Sequence, residues 1–278
     1  MHDPAEVGEE TEVPSPLMDL SGKTIIVTGV ASGIGKETAA ELHHRGATVI
    51  GVDRNPASDL DAFFEADLAD PDSIDRLIDE LPTGADGLCN IAGVAPTQPA
   101  ELVLKVNTLG LQRLTLCMVP KLADGASIVN LASMAGNGWR DHLDQIEEFQ
   151  SVGFDAVAEF VATHEIEGTA RSYFLSKEAV VVWTMQNRWT WRDRDIRMNA
   201  VSPGPIETPI LPEFIEMLGD RAQESLTNLD RMGQPEDVAP VVAFLLSDEA
   251  AWFRGANITP DGGMGAHLAL KRYDVDLG

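Results

Sequence analysis

Short apolar or β-branched runs alternate with helical patterns along almost the whole chain, and this alternation constrains the fold most. "KTIIVTG" (23–29), "ATVIGVD" (47–53), "DGLCNIAG" (86–93), "ASIVNLAS" (126–133), "IRMNAVSPG" (196–204) and "GANITPDGG" (255–263) read as strands. Between them, "KETAAELHHRG" (36–46), "DPDSIDRLIDEL" (70–81), residues 106–123, residues 171–189 and "PEDVAPVVAFLLSDEA" (235–250) read as helices. Strands joined through helices pair in parallel, and a parallel sheet is covered on both faces. The expected fold class is α/β: a single doubly wound parallel sheet spanning 17–278, with its ligand at the carboxyl ends of the strands. Residues 1–16 read as a flexible acidic tail.

The first strand runs into "TGVASGIG", which places Gly29, Ser32, Gly33, Ile34 and Gly35 at a strand-to-helix turn. Glycines there allow a tight turn and a close approach of backbone to phosphate, and the next helix offers free N–H groups to a pyrophosphate. A Gly-rich turn alone would serve any tight connection. Here an acid, Asp53, also closes the following strand. A carboxylate at that place accepts from both adenosine ribose hydroxyls and repels a 2′-phosphate, so NAD is favoured over NADP. The adjacent Arg54 is the one residue that could meet a phosphate. Asp67 and Leu68 sit where a further strand would end; Asp67 either accepts from an adenine amino group, with Leu68 flanking the ring, or caps a helix. Asn90, Ala92 and Gly93 close a later strand, and small residues there leave room for a cofactor. The expectation is a Rossmann-type domain.

Composition narrows the function classes. The net charge is −25, which excludes the basic face nucleic acid needs and disfavours an anionic membrane. No window is read as a membrane span, and the acidic start is unlike a signal peptide. With 44% hydrophobic residues the chain can fill one large core. Cys89 and Cys117 sit in apolar surroundings and read as two buried thiols in a reducing cytoplasm. No cluster has metal-ligand spacing.

The motifs "TGVASGIG", "NIAG", "VNTLG", "SIVNLAS", "YFLSK", "NAVSPGPIETP" and "DGG" occur in an order that resembles the classical short-chain dehydrogenase/reductase family over about residues 20–263. That resemblance implies Tyr173 as general acid/base, Lys177 as its partner, Ser133 as ligand of the substrate oxygen and Asn107 as holder of a water. It further implies that Thr208 fixes a nicotinamide carboxamide with support from Ile206, that Lys177 also binds the nicotinamide ribose, and that Tyr173, Pro203 and Gly204 contact the cofactor too. One signature departs: the usual Asn-Asn-Ala-Gly is here Asn90-Ile91-Ala92-Gly93.

The chemistry needs these residue types. Alcohol oxidation sends a hydride to nicotinamide and a proton to a base, and an isolated tyrosine near pKa 10 is a poor base. Tyr173 and Lys177 are four apart, hence neighbours on one helix face. An ammonium there stabilises the phenolate, as does the positive nicotinamide ring, and together they are expected to lower its pKa. Ser133 steadies developing alkoxide charge. The function expected is NAD-dependent interconversion of a hydrophobic secondary or aryl alcohol and its carbonyl compound. A nucleotide-sensing or scaffold protein of the same fold is the alternative, and a dehydratase or epimerase a third; the complete catalytic set and compact chain favour the first.

Ser133 lies forty positions before Tyr173, against roughly a dozen in most of the family. From Asp141 to Gly168 the intervening segment carries eight carboxylates and no Lys or Arg. Leu143, Ile146, Phe149, Val157, Phe160 and Val161 recur at helical spacing, which predicts one or two amphipathic helices broken near Gly153. Such a long insert (139–168) is similar to that of the bacterial 3α-hydroxysteroid dehydrogenase/carbonyl reductase subgroup, which coniferyl-type aromatic alcohol dehydrogenases also resemble. It is expected to favour a dimeric homo-oligomer over a tetramer. The resemblance makes "PILPEFIEML" a lid over the substrate, with Ile210, Leu211, Phe214, Met217 and Leu218 apolar and Trp139 as a further wall. The tail after the last strand, with His267 incidental, could fold over a neighbouring site.

Overall fold

A computed structural model of the chain describes residues 17–218, 227, 229–273 and 275. The expected 1–16 tail and the Leu218 side chain lie outside the described portion. Seven strands form one parallel sheet: β1 Thr24–Thr28, β2 Thr48–Asp53, β3 Ala62–Glu65, β4 Ala85–Asn90, β5 Leu122–Leu131, β6 Arg197–Val201 and β7 Asn257–Ile258. Their order is β3-β2-β1-β4-β5-β6-β7. The order reverses between β1 and β4, which pair in parallel from Ile25–Gly87 to Val27–Cys89. The crevice beyond the carboxyl ends there is where an open α/β sheet takes its ligand.

The strands read as unbroken apolar runs because both faces are buried. On one face α1 (Gly33–His44) and α9 (Pro235–Leu246) pack Leu42, Val238 and Val242 against Ile25, Val27 and Val49. On the other, α2 (Pro71–Glu80) and α4 (Leu111–Met118) pack Ile74, Leu77, Leu114 and Met118 against Ile26, Leu88 and Ile128. The start of α2 is set by Asp70, whose Oδ1 accepts from the Asp72 N–H at 3.0 Å, and by Pro71 at the first helical position.

Four expectations change. The helix expected over 106–123 begins earlier, with α3 (Ala100–Leu104), and passes through a π-helical turn at Lys105–Gly110. The run Ala100–Lys121 is long and apolar enough to cross a membrane by length and composition, contrary to the expectation of no such window. However, 67% of its most apolar window is buried inside the protein, so its apolarity is used by the core. The strand expected over 255–263 shrinks to Asn257–Ile258, although backbone bonds between Gly255 and Met198 and between Gly204 and Pro260 keep the chain along β6 on either side of it. Cys117 is only partly buried, whereas Cys89 is fully enclosed and burial pushes its thiol well up; both are free.

The segment between Ser133 and Tyr173 forms a 3-10 helix (Met134–Asp141), α5 (Leu143–Gln150) and α6 (Val157–Thr163), with Gly153 in the break. Ile146, Phe149, Val157 and Phe160 make a separate core with Leu104 of α3 and Leu175, Ala179 and Val182 of α7 (Arg171–Gln186). The rings of Phe149 and Phe160 lie 5.3 Å apart. Because Phe149 is 1% exposed, Phe149→Ala is expected to cost about 3–5 kcal/mol, read as a lowered urea midpoint. The remaining elements are α8 (Leu211–Leu218) and α10 (Met264–Arg272).

Candidate active site

The carboxyl ends of β1, β2, β4, β5 and β6 open into one cleft of about 360 Å³. At one end lies the β1–α1 turn. Gly29 has φ +80°, and a Cβ on it would stand 2.8 Å from the Ala92 backbone; Gly33 has φ +55° and leaves space beside Thr208. A side chain at Gly29 would clash with that backbone, and one at Gly33 would crowd Thr208. Ser32 precedes α1 without a side-chain capping bond, and the first turn carries no acid. The helix therefore presents its own N–H groups and positive dipole end to the cleft. Ile34 and Gly35 complete that turn in the lining.

Asp53 ends β2. Its Oδ2 accepts from the Ala31 N–H at 3.0 Å and its Oδ1 from the Asn55 N–H at 2.9 Å, which fixes the carboxylate at the cleft rim. Arg54, Asp67 and Leu68 line the same end. Asp67 does not cap α2, since Asp70 does; its Oδ1 instead accepts from the Ala69 N–H at 2.8 Å. Ala92, Gly93, Pro203, Gly204, Ile206 and Thr208 line the middle. The Thr208 hydroxyl is 3.4 Å from the Ile206 carbonyl. These residues fit a dinucleotide: open helix N–H groups for phosphate, a fixed carboxylate for ribose, and backbone without side chains between.

At the far end Ser133, Tyr173 and Lys177 meet. Ser133 caps the 3-10 helix, its Oγ accepting from the Ala135 N–H at 3.2 Å. That leaves its proton free to turn toward Tyr173, whose phenol the Ser133 hydroxyl favours in its charged form. Lys177 is 3% exposed. Its Nζ donates to the Leu131 carbonyl at 2.9 Å and stands 5.7 Å from the Tyr173 ring centre. Burial pulls the Lys177 ammonium down to about 8. The Tyr173 phenol is pushed up from its ordinary value by burial, and only the Ser133 bond lowers it. Contrary to expectation, Lys177 is not among the groups that lower Tyr173. The ammonium is engaged by Leu131 and is itself poorly solvated.

Asn107 does not line the cleft; it lies one layer behind, fully buried in the π-helical turn. Its Oδ1 accepts from the Val94 N–H at 2.8 Å, and its Nδ2 donates to the Val94 carbonyl at 3.2 Å and to the Ser176 hydroxyl at 3.3 Å. A Cβ on Gly93 would sit 3.2 Å from Asn107 Oδ1 and 3.7 Å from Lys177 Nζ, so the missing side chain leaves space between the two. Asn90 also stays out of the cleft. Its Nδ2 donates to Thr115 Oγ1 and Asn130 Oδ1, both at 2.8 Å, inside the core.

On the substrate side Ile210, Leu211 and Phe214 face the cleft, and the Phe214 ring meets Tyr173 edge-on at 5.6 Å. Trp139, expected as a wall, does not reach it. Trp139 packs beside the apolar core of α5, α6 and α7, with the Arg140 guanidinium 4.3 Å from its ring centre. Sequence reasoning missed Val94, Ala95, Gln98, Met134 and Glu213, all in the lining. Val94 and Ala95 follow the last glycine of "NIAG", and a residue leaving a strand at the switch point has nowhere else to go. Glu213 hydrogen-bonds the Thr97 hydroxyl and so ties α8 to the β4 side. Within the chain the tail helix α10 is tied to the segment after Ser133 by Arg272, 3.1 Å from Asp141. Among the described residues no acidic, His and Cys group has a metal-binding arrangement.

The chain is similar to known proteins over most of its length. Residues 23–143 match the family model described as short chain dehydrogenase, and residues 156–265 match one described as enoyl-(acyl carrier protein) reductase. The chain is 45% identical to coniferyl-alcohol dehydrogenase of Pseudomonas sp. (strain HR199 / DSM 7063), covering 89% of this chain and 98% of that one. It is 29% identical to 3-alpha-hydroxysteroid dehydrogenase/carbonyl reductase of Comamonas testosteroni, covering 90% and 99%. A solved structure of 3-alpha-hydroxysteroid dehydrogenase from Pseudomonas sp. B-0831, complexed with NADH, superposes with a TM-score of 0.76. The two are 31% identical, with 90% of this chain and 99% of that one covered.

Proposed function

The chain belongs to the short-chain dehydrogenase/reductase family of oxidoreductases, and from that membership and its cleft we propose that it oxidises hydrophobic secondary or aryl alcohols with NAD. The observation that carries the reading is the convergence of Ser133, Tyr173 and Lys177 at the apolar end of a cleft whose other end holds Asp53. Steroid-like and aromatic alcohols suit Ile210, Leu211 and Phe214, and relatives named for coniferyl alcohol and hydroxysteroids support both classes.

Ser133 holds the substrate oxygen beside Tyr173. Tyr173 takes the hydroxyl proton, and Lys177 stands one helical turn behind it. When bound, oxidised NAD supplies the hydride acceptor and a positive ring beside the phenol. The α1 N-terminus binds the pyrophosphate, Asp53 the adenosine ribose, and Thr208 with the Ile206 backbone the carboxamide. Asn107, joined to Ser176 and Val94 behind Lys177, passes the proton toward solvent through water. The excluded surroundings raise the value of each of these dipoles. Two unpaired cysteines agree with a reducing cytoplasm, where this reading places the protein.

Purified protein with NAD or NADP and a panel of aryl, steroid and aliphatic alcohols should develop the NADH band with NAD. Tight NAD binding with no band for any alcohol would favour the sensor alternative. Asp53→Ala should cut the ratio of kcat/KM for NAD over NADP by about 10–100-fold, the worth of charge-assisted ribose hydrogen bonds. An unchanged ratio would place the preference elsewhere, Arg54 first.

A further inference from the structure

Glu178 follows Lys177 directly, and its carboxylate is fully buried. Both of its oxygens are engaged from outside its own turn. Oε1 lies 2.8 Å from Nδ1 of His142. Oε2 lies 2.7 Å from Nη2 of Arg171, a close charge contact. Arg171 in turn donates from Nε to Gln145 Oε1 of α5 at 2.8 Å. A buried carboxylate is expensive unless so partnered, and none of the chemistry above uses this one.

What Glu178 grips is informative. The 3-10 helix Met134–Asp141 has Ser133 as its first cap and His142 as its last. Its middle lies directly on the catalytic helix. A Cβ on Gly136 would stand 2.8 Å from the Lys177 carbonyl, and one on Gly138 would stand 2.9 Å from Glu178 Oε1. The short helix is thus clasped to α7 at its far end by Glu178, while its near end carries the Ser133 hydroxyl, which shares the cleft wall with Tyr173. The other charges nearby are committed elsewhere. Arg140 stacks on Trp139, and Asp141 pairs with Arg272 at the surface. Among the described residues the charged groups lining the cleft are Asp53, Arg54 and Asp67 at the ribose end, Lys177 from α7 and Glu213 from α8.

We propose that Glu178 is a positioning residue: by holding His142 at one end of the Met134–Asp141 helix, it keeps Ser133, at the other end, in hydrogen-bond reach of Tyr173. The inference rests on the dehydrogenase reading of the site, and its test is separable from that reading. The chain has two tyrosines, Tyr173 and the exposed Tyr273. In a Tyr273→Phe background, tyrosinate absorbance therefore reports Tyr173 without turnover or cofactor.

Ser133→Ala should raise the tyrosinate midpoint, since the Ser133 bond favours the phenolate. His142→Ala, on a ring 43% exposed, should raise it in the same direction. The Ser133→Ala/His142→Ala pair should move it no further than Ser133→Ala alone. Glu178→Gln should match His142→Ala; should that buried variant fail to fold, His142→Ala decides. In steady state the acidic limb of kcat for alcohol oxidation should move to higher pH, with about tenfold lower kcat at neutral pH and an unchanged KM for NAD. A midpoint unmoved by His142→Ala, or a double variant showing the sum of the single shifts, overturns the proposal. Absence of turnover in the parent protein would instead overturn the dehydrogenase reading, leaving the titration to decide the coupling.

Discussion

Tyr173→Phe should retain NAD binding and lose alcohol oxidation by about 10²–10⁴-fold, the usual worth of a positioned general base. The substitution removes one hydroxyl. The ring keeps its edge contact with Phe214, and the cofactor end of the cleft, from the α1 turn to Asp53, is untouched. Kd for NAD, followed by fluorescence quenching of the tryptophans, should change little while kcat collapses. An active Tyr173→Phe enzyme would remove Tyr173 from the chemistry.

Lys177→Met should separate activity from stability in opposite directions. Turnover should fall by a factor comparable to that for Tyr173→Phe, because the cation beside the phenol is lost together with the ribose contact proposed for it. The cofactor-free fold, by contrast, should gain. Burial lowers Lys177 from an ordinary 10.5 to about 8. Below pH 8 the side chain is protonated in both folded and unfolded chains, so the folded state carries the whole cost of a buried ammonium. Between 8 and 10.5 the folded chain sheds its proton first, and the cost fades as pH rises. Methionine removes the charge but leaves the Leu131 carbonyl without its donor. The balance is a gain of roughly 2 kcal/mol at neutral pH. Calorimetry should show the variant melting above the parent at pH 7 and the gap closing above pH 10. A variant melting below the parent at pH 7 would mean that the ammonium stabilises the site.

How much of this was legible follows from the range of each interaction. The strands are visible because a parallel sheet buries both faces, so Ile25 to Val27 and Val49 to Val52 are apolar without alternation. The nucleotide turn is visible because Gly29 and Gly33 need positive φ within five residues of each other. Tyr173 and Lys177 are visible through one helical turn. The two helices of the acidic segment are visible in the spacing of Ile146, Phe149, Val157 and Phe160.

What stayed hidden depends on residues distant in sequence. Trp139 sits beside the right serine, but the direction of the 3-10 helix turns it away from the cleft. The π-helical turn at Asn107 leaves no mark in the apolar pattern of 100–121. It arises where Asn107 bonds Val94 and Ser176, one thirteen and the other sixty-nine positions away. The grip of Glu178 on His142 spans thirty-six positions. Its one local signal is a glutamate standing in the otherwise apolar run after Lys177, a charge that burial obliges to have partners. The direction of the Tyr173 shift was also out of reach, because it depends on the depth of burial and on the Leu131 carbonyl that engages Lys177.

The central claim is that Tyr173 is the base, and one comparison tests it most directly. With NAD bound, the tyrosinate midpoint of the Tyr273→Phe protein should coincide with the pH midpoint of the acidic limb of kcat for alcohol oxidation. Both should lie below the midpoint of the cofactor-free protein, because the bound ring adds a positive charge beside the phenol. A kinetic limb whose midpoint differs from the tyrosinate midpoint would assign the proton to another group and contradict the account.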